Sequence, residues 1–197
     1  MLVLKFAVQA ETWAKNSRFL AEAIPVSSPE EAKRLWRFRK ETYDNGGHIV
    51  YAFTTGPAQN ISGCSDDGEP SGTAGRPVLA VLKGSSITNC LITVARWFGG
   101  TKLGTGGLVH AYSDAAKAAL ANAVCTELLP MTKVKITIPY QFYEQVKRIL
   151  SGYTFTLDSE NFASEVTICG EIFDEQEISL HQKLNELANG KIIFDRC

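Results

Sequence analysis

The chain has 197 residues, is 45% hydrophobic and 21% charged, and carries a formal net charge of −1. Those are globular values, enough for one or two domains with a real core, and they exclude a global positive field that would draw in nucleic acid. Up to residue 130 there are 13 Lys/Arg against 11 Asp/Glu, and beyond it 7 against 10, so a nucleic-acid surface would have to be a local patch on the first part. Cys64, Cys90, Cys125, Cys169 and Cys197 are odd in number and form no CxxC pair. This argues against a disulfide framework or a structural zinc site and points to a reducing, cytoplasmic setting. No apolar run nears the roughly 18 residues a spanning helix needs. The start, Met1 to Phe6, lacks a basic segment followed by a long apolar one, so neither a signal peptide nor a membrane partner is expected.

Phe19 to Val26 reads as a strand ending at Pro25. Ser28-Pro29-Glu30-Glu31 opens a helix, with Ser28 as N-cap, Pro29 at the first helical position and Glu31 completing a capping box. Ala32, Leu35, Trp36 and Tyr43 form its apolar stripe, and Asn45-Gly46-Gly47 stops it. His48 to Thr54 alternates as a strand. Pro77 to Lys83 reads as a helix stopped at Gly84, Asn89 to Arg96 as a buried β-branched strand, and Leu108 to Val124 as an alanine-rich helix. Leu129-Pro130 marks a boundary between domains 1–130 and 131–197. Beyond it come a strand at Val134 to Ile138, a helix at Gln141 to Leu150, strands at Thr154 to Leu157 and Phe162 to Cys169, a helix at Glu175 to Leu187 ended by Asn189-Gly190, and a strand at Lys191 to Phe194. That β-α-β-β-α-β order is the ferredoxin-like split unit.

Ten of the 16 glycines lie between residues 60 and 110, where they flank two segments with the composition of a site. The first runs from Ser65 to Pro77 and carries Asp66, Asp67, Glu69, Ser71, Thr73 and Arg76. The second runs from Arg96 to Leu108 and carries Lys102 and Gly104-Thr105-Gly106-Gly107. A strand, a glycine loop and a helix start with nearby cations suit an anion, because the free N–H groups and the dipole favour negative charge there. Two familiar phosphate patterns fail: Thr105 replaces the P-loop lysine, and Val109 stands where the dinucleotide pattern needs its last glycine. The alternative is a tight turn packing a helix on a sheet.

Asp66, Asp67 and Glu69 could hold Mg²⁺ or supply an acid/base pair. They could equally bond local backbone in turns or pair with Arg76 or Arg96, and this structural reading carries the larger weight. His48 next to Gly47 is more often a hydrogen-bonded structural residue than a catalyst. His110 and Asp114 have the spacing of a surface pair on a helix, and His181 lies on a polar helix face. Ser71 and Thr73 lack the G-x-S-x-G surroundings of an esterase nucleophile. Trp97-Phe98 could stack bases but reads as core.

The runs from Ser65 to Pro77 and from Arg96 to Leu108, continuing to Ala111-Tyr112, resemble the IMPACT family, the YigZ-like proteins of bacteria. Asn16-Ser17-Arg18-Phe19 and His48-x-x-Tyr51-Ala52 fit its pattern too, so the resemblance covers about residues 15–125. It implies an α+β chain of two domains: a ribosomal-protein/elongation-factor-G-type sandwich, then a small domain similar to the last domain of elongation factor G. By fold analogy it implies contact with RNA, the ribosome or a translation factor. Eukaryotic members carry an extra RWD domain that engages a translational-control factor. This chain is expected to start directly with the shared domain, so that partner does not carry over. The resemblance supplies no catalytic residue.

The leading expectation is therefore a non-enzymatic regulator binding nucleic acid or the translation machinery through Arg76, Arg96, Lys102, Gly104, Thr105, Gly106 and Gly107, supported by His48 and Tyr112. No cofactor is required, though Mg²⁺ stays open, as does oligomeric state. A Mg²⁺-dependent phosphate-handling enzyme and a pure protein-interaction module are the alternatives. The two loops are expected to meet, with Asp66, Asp67 and Glu69 facing Arg76, Arg96 and Lys102.

Overall fold

Helix α1 (Pro29–Thr42) starts where local chemistry places it. Ser28 Oγ accepts a hydrogen bond from Glu31 N at 3.2 Å, and Pro29 occupies a position whose N–H would have no helical partner. One detail corrects the expected capping box. Glu31 Oε2 accepts from the backbone and hydroxyl of Ser27, both at 2.7 Å, one residue outside the N-cap. The structure, a computed structural model, describes residues 1–43, 47–188 and 191–197. The expected helix stops at Asn45-Gly46 and Asn189-Gly190 thus lie outside the described residues.

The chain divides into two compact units, Met1–Leu128 and Leu129–Cys197. In the first, strands β1 (Leu2–Leu4) and β7 (Cys125–Glu127) pair antiparallel. Strands β2 (Val8–Ala14), β3 (Ser17–Pro25), β4 (Ile49–Thr55), β5 (Ile61–Ser65) and β6 (Cys90–Trp97) form an antiparallel sheet in the order β2-β3-β6-β4-β5. Helices α2 (Gly75–Gly84) and α3 (Gly104–Ala121) cover one face, over Phe19, Ala21, Val50, Ile92 and Val94, with Tyr112 of α3 in the same core. Helix α1 covers part of the other, over Ile24, Val26, Phe53 and Leu91. Burial of this apolar area is the main favourable term in folding.

The second unit runs β8 (Met131–Ile138), a 3₁₀ turn (Tyr140–Phe142), α4 (Tyr143–Leu150), β9 (Phe155–Phe162), β10 (Val166–Phe173), α5 (Asp174–Ala188) and β11 (Ile193–Arg196). Its antiparallel sheet has the order β11-β8-β10-β9. Alternate residues Val134, Ile136, Ile138, Ile168 and Ile172 meet Val146, Leu180 and Leu184 of the helices in one core.

The structure is thus of mixed helix and strand, with differences from expectation that have physical causes. Strand β2 is absent from the sequence reading, although its residues alternate between core and solvent. The expected strand at Phe162 to Cys169 is replaced by a hairpin. Polar residues Asp158 to Asn161 extend β9, which they can do because β9 is an edge strand with most of its residues exposed. Helix α3 begins at Gly104, not Leu108, so Gly104, Gly106 and Gly107 form its first turn rather than a loop before it. Among the described residues no helix is long and apolar enough to cross a membrane.

Candidate functional site

The two glycine-rich segments meet at one cavity of about 550 Å³ in the first unit. Glu69 and Pro70 come from the first segment, and Lys102, Leu103, Gly104 and Thr105 from the second. His48 enters from before β4, and Arg96 and Phe98 from the end of β6.

Glu69 Oε1 sits at the centre of this arrangement, accepting from Arg96 Nη1 and from Tyr112 OH, both at 2.8 Å. The side chains of Arg96 and Glu69 are only 12% and 4% exposed, so their charges meet in a weakly screened setting. Tyr112 is fully buried with its ring edge-on to Phe19. Burial, reinforced by the Glu69 carboxylate, pushes its phenol well above the usual tyrosine range, so it donates at neutral pH. Arg96 is therefore a wall of the cavity already committed to a carboxylate, which corrects the expectation of a cation exposed for phosphate.

The other two carboxylates have separate duties. Asp66 Oδ1 accepts from Ala74 N at 3.0 Å and Gly75 N at 2.8 Å, and Oδ2 from Gly72 N at 2.8 Å. Partial burial raises its carboxyl pKa, but the N–H groups of Gly72, Gly75 and Ala74, aided by Arg76, outweigh that and hold it below the usual aspartate range. Asp66 thereby caps α2, whose own N-cap residue Ala74 makes no side-chain cap. Asp67 Oδ1 takes Lys40 Nζ at 2.6 Å and its Oδ2 takes Ile49 N at 2.8 Å, tying α1 to β4. Three carboxylates with three partner sets do not converge on one cation. Among the described residues no cluster of His, Cys, Asp or Glu is arranged for a metal ion. The expected confrontation of Asp66 and Asp67 with Arg96 and Lys102 is thus replaced by backbone and Lys40 contacts.

The remaining expected residues separate cleanly. Lys102 is exposed at the cavity beside Gly104 and Thr105, and the N-cap residue of α3, Leu103, makes no side-chain cap, nor is there an acidic residue in the first turn. Arg76 is exposed at the start of α2 and does not line the cavity. Gly106 and Gly107 lie in the same first turn without lining it. Ser71 is exposed, whereas Thr73 is buried and donates its hydroxyl to Pro70 O at 2.6 Å, so it is unsuited to nucleophilic attack. Asp114 meets Lys117 at 3.4 Å rather than serving the expected pair with His110.

Phe98 overturns its expected core role. It is 60% exposed at the cavity, its ring 5.5 Å from the Arg96 guanidinium. The sequence offers it for stacking as well as for the core, and the core reading prevails there because an aromatic after a buried strand looks like any core residue; the lining residues Pro70 and Leu103 carry no such signal. The turn between β2 and β3 also escaped notice. Lys15 and Asn16 adopt φ of 43° and 68° there, the two-residue geometry that matches strand twist. Gly99 lies so close that a Cβ on it would come within 2.1 Å of Asn16 C and O, and Gly99 N donates to Ser17 Oγ at 3.2 Å.

Residues 15–120 match the family model described as the Impact N-terminal domain. The chain belongs to the IMPACT family. An IMPACT family member of Haemophilus influenzae is 31% identical over 195 residues, covering 98% of this chain and 95% of that relative. The IMPACT family member YigZ of Escherichia coli is 33% identical over 180 residues, covering 90% and 88%. A crystal structure described as that of a hypothetical protein superposes with a TM-score of 0.78 at 27% identity, covering 98% of this chain and 95% of that one. The matched IMPACT segment contains every residue that lines the cavity.

Proposed function

We propose that this IMPACT-family chain is a non-enzymatic regulatory protein that binds the phosphate backbone of RNA, acting on the translation machinery from a cytoplasmic location. The observation that carries the reading is the cavity bounded by Lys102 and the first turn of α3. A helix start with glycines at three of its first four positions presents backbone N–H groups with little steric cover, and the adjacent ammonium adds a full positive charge. The neighbouring carboxylates do not cancel it, since Glu69 is held by Arg96 and Tyr112 and Asp67 by Lys40.

The domain reading belongs to the same proposal. Residues 1–130 act as the ribosomal-protein/elongation-factor-G-type domain, and residues 131–197 as a ferredoxin-like domain. Support for the second comes from the β-α-β-β-α-β order and the sheet order β11-β8-β10-β9. The link to translation rests on that fold analogy and on family membership.

The test is an amide-resolved NMR titration of the full chain with a short single-stranded RNA. The expected result is that the N–H signals of Gly104, Thr105 and Gly106 and the neighbourhood of Lys102 shift first and saturate together. Perturbation confined to other surfaces, or none at millimolar RNA, would overturn the reading.

A further inference from the structure

The face of the five-stranded sheet that carries α1 bears an exposed aromatic, Trp13, at one corner. Trp13 of β2 is the register partner of Arg18 on β3, and Arg18 is the register partner of Trp97 on β6. Directly paired residues on adjacent strands share a face and lie about 5 Å apart, so the three side chains form one row across three strands. The Arg18 guanidinium lies over the Trp97 ring at 4.5 Å and is held from the other side by an ion pair with Glu11. Tyr43 at the end of α1 closes the row, its ring 6.2 Å from that of Trp97. Trp13, at the open end, is 67% exposed, a large apolar area to leave in water without a partner.

From these relationships we infer that Trp13, Arg18 and Trp97 form a stacking platform for the bases of single-stranded RNA. The inference extends the phosphate-binding reading of the cavity and depends on it. Continuity favours this occupant. Trp97 faces the platform, while Arg96 and Phe98 on either side of it line the cavity, so the end of β6 carries residues of both. Charge agrees as well. Lys15 at the β2–β3 turn and Lys102 are both exposed at this end of the unit, and the carboxylates beside the row are paired, Glu11 with Arg18 and Glu22, next to Tyr43, with Arg39. A strand held by its phosphates at Lys102 and α3 would pass over the Asn16–Gly99 contact and lay its next bases on the row. Planar aromatic and guanidinium groups accept any base by its face, so the platform selects unpaired RNA without reading sequence. A duplex keeps its bases stacked on each other and gains nothing from it.

The experiment compares binding of a labelled ten-nucleotide single strand and of its ten-base-pair duplex by the full chain, by Trp13→Ala, by Trp13→Phe and by Lys102→Ala. Trp13 is mostly exposed, so its removal leaves the core intact, which thermal unfolding checks. Trp13→Ala is expected to weaken the single strand about five- to a hundredfold and leave duplex affinity and salt dependence unchanged. Trp13→Phe should restore most of the loss, whereas Lys102→Ala should weaken both RNAs. If Trp13→Ala binds the single strand like wild type, or loses both RNAs equally, while Lys102→Ala still weakens binding, the platform is refuted and the cavity reading stands. If wild type binds neither RNA, both fall. Loss of self-association in Trp13→Ala with RNA affinity unchanged would make the row an interface between copies of the chain and refute the platform.

Discussion

Arg96 Nη1 and Glu69 Oε1 meet at 2.8 Å across 27 residues of sequence, and through them the two glycine-rich segments are fastened together. Glu69→Ala removes the acceptor of both Arg96 Nη1 and Tyr112 OH. Removing one member of a buried pair typically costs more than the pair's net worth. The expected loss is about 3 kcal/mol in urea unfolding, with Glu69→Gln intermediate. A loss under about 0.5 kcal/mol, the size of an ordinary surface substitution, would show that the cavity floor does not hold the fold.

Asp66 gives the fold an acid dependence whose sign follows from its contacts. Its carboxyl is held below the usual range in the folded chain, so the unfolded chain takes up the proton first as pH falls. The stabilisation is present in full at neutral pH and drains away below about pH 4. Asp66→Asn should lower stability at pH 7 by about 2 kcal/mol, since three N–H groups lose a charged acceptor. It should also flatten the decline between about pH 4 and pH 2, and unfolding midpoints measured across that range check both.

Gly99→Ala should be disproportionately costly for a one-carbon change. The new methyl would overlap the carbonyl of Asn16, which is backbone and has no alternative rotamer. A loss of about 2 kcal/mol or more is expected by thermal unfolding, against near neutrality for the control Gly84→Ala, where the new Cβ meets nothing within 4 Å.

Gly106 is the converse case. A Cβ there meets nothing within 4 Å, and the residue lies inside the first turn of α3. Gly106→Ala should therefore stabilise the protein by up to about 1 kcal/mol. If the glycine is kept so that a phosphate can approach the backbone, the same variant should bind RNA more weakly. A more stable variant with undiminished RNA affinity would remove Gly106 from the interface.

What was legible in the sequence was local. Ser28 and Pro29 announce α1 because a cap needs only its next three residues, and the alternation of β8 shows its buried face directly. The polar second half of β9, Asp158 to Asn161, was hidden because its justification is a partner, β10, on one side and solvent on the other. At the site, composition marked the right segments but not the duties within them. Asp66 looks like a ligand or a turn residue, and only the return of the chain six to nine residues later makes it the cap of α2. Phe98 and Trp97 look alike in sequence, yet one opens into the cavity and the other joins a cross-strand row. Pairings such as Glu69 with Tyr112, 43 residues apart, depend on the tertiary fold and leave no periodic signal.

The central claim, that Lys102 and the start of α3 hold RNA by its backbone, is tested most directly by the salt dependence of binding. Affinity for a single-stranded RNA is measured at several salt concentrations for wild type, Lys102→Ala and Arg76→Ala, each first shown to be folded. Each phosphate contact contributes about 0.7 to the slope of log affinity against log salt for a single strand. The account predicts a slope shallower by about that amount in Lys102→Ala and unchanged in Arg76→Ala, which lies off the cavity. Identical slopes for wild type and Lys102→Ala would contradict it.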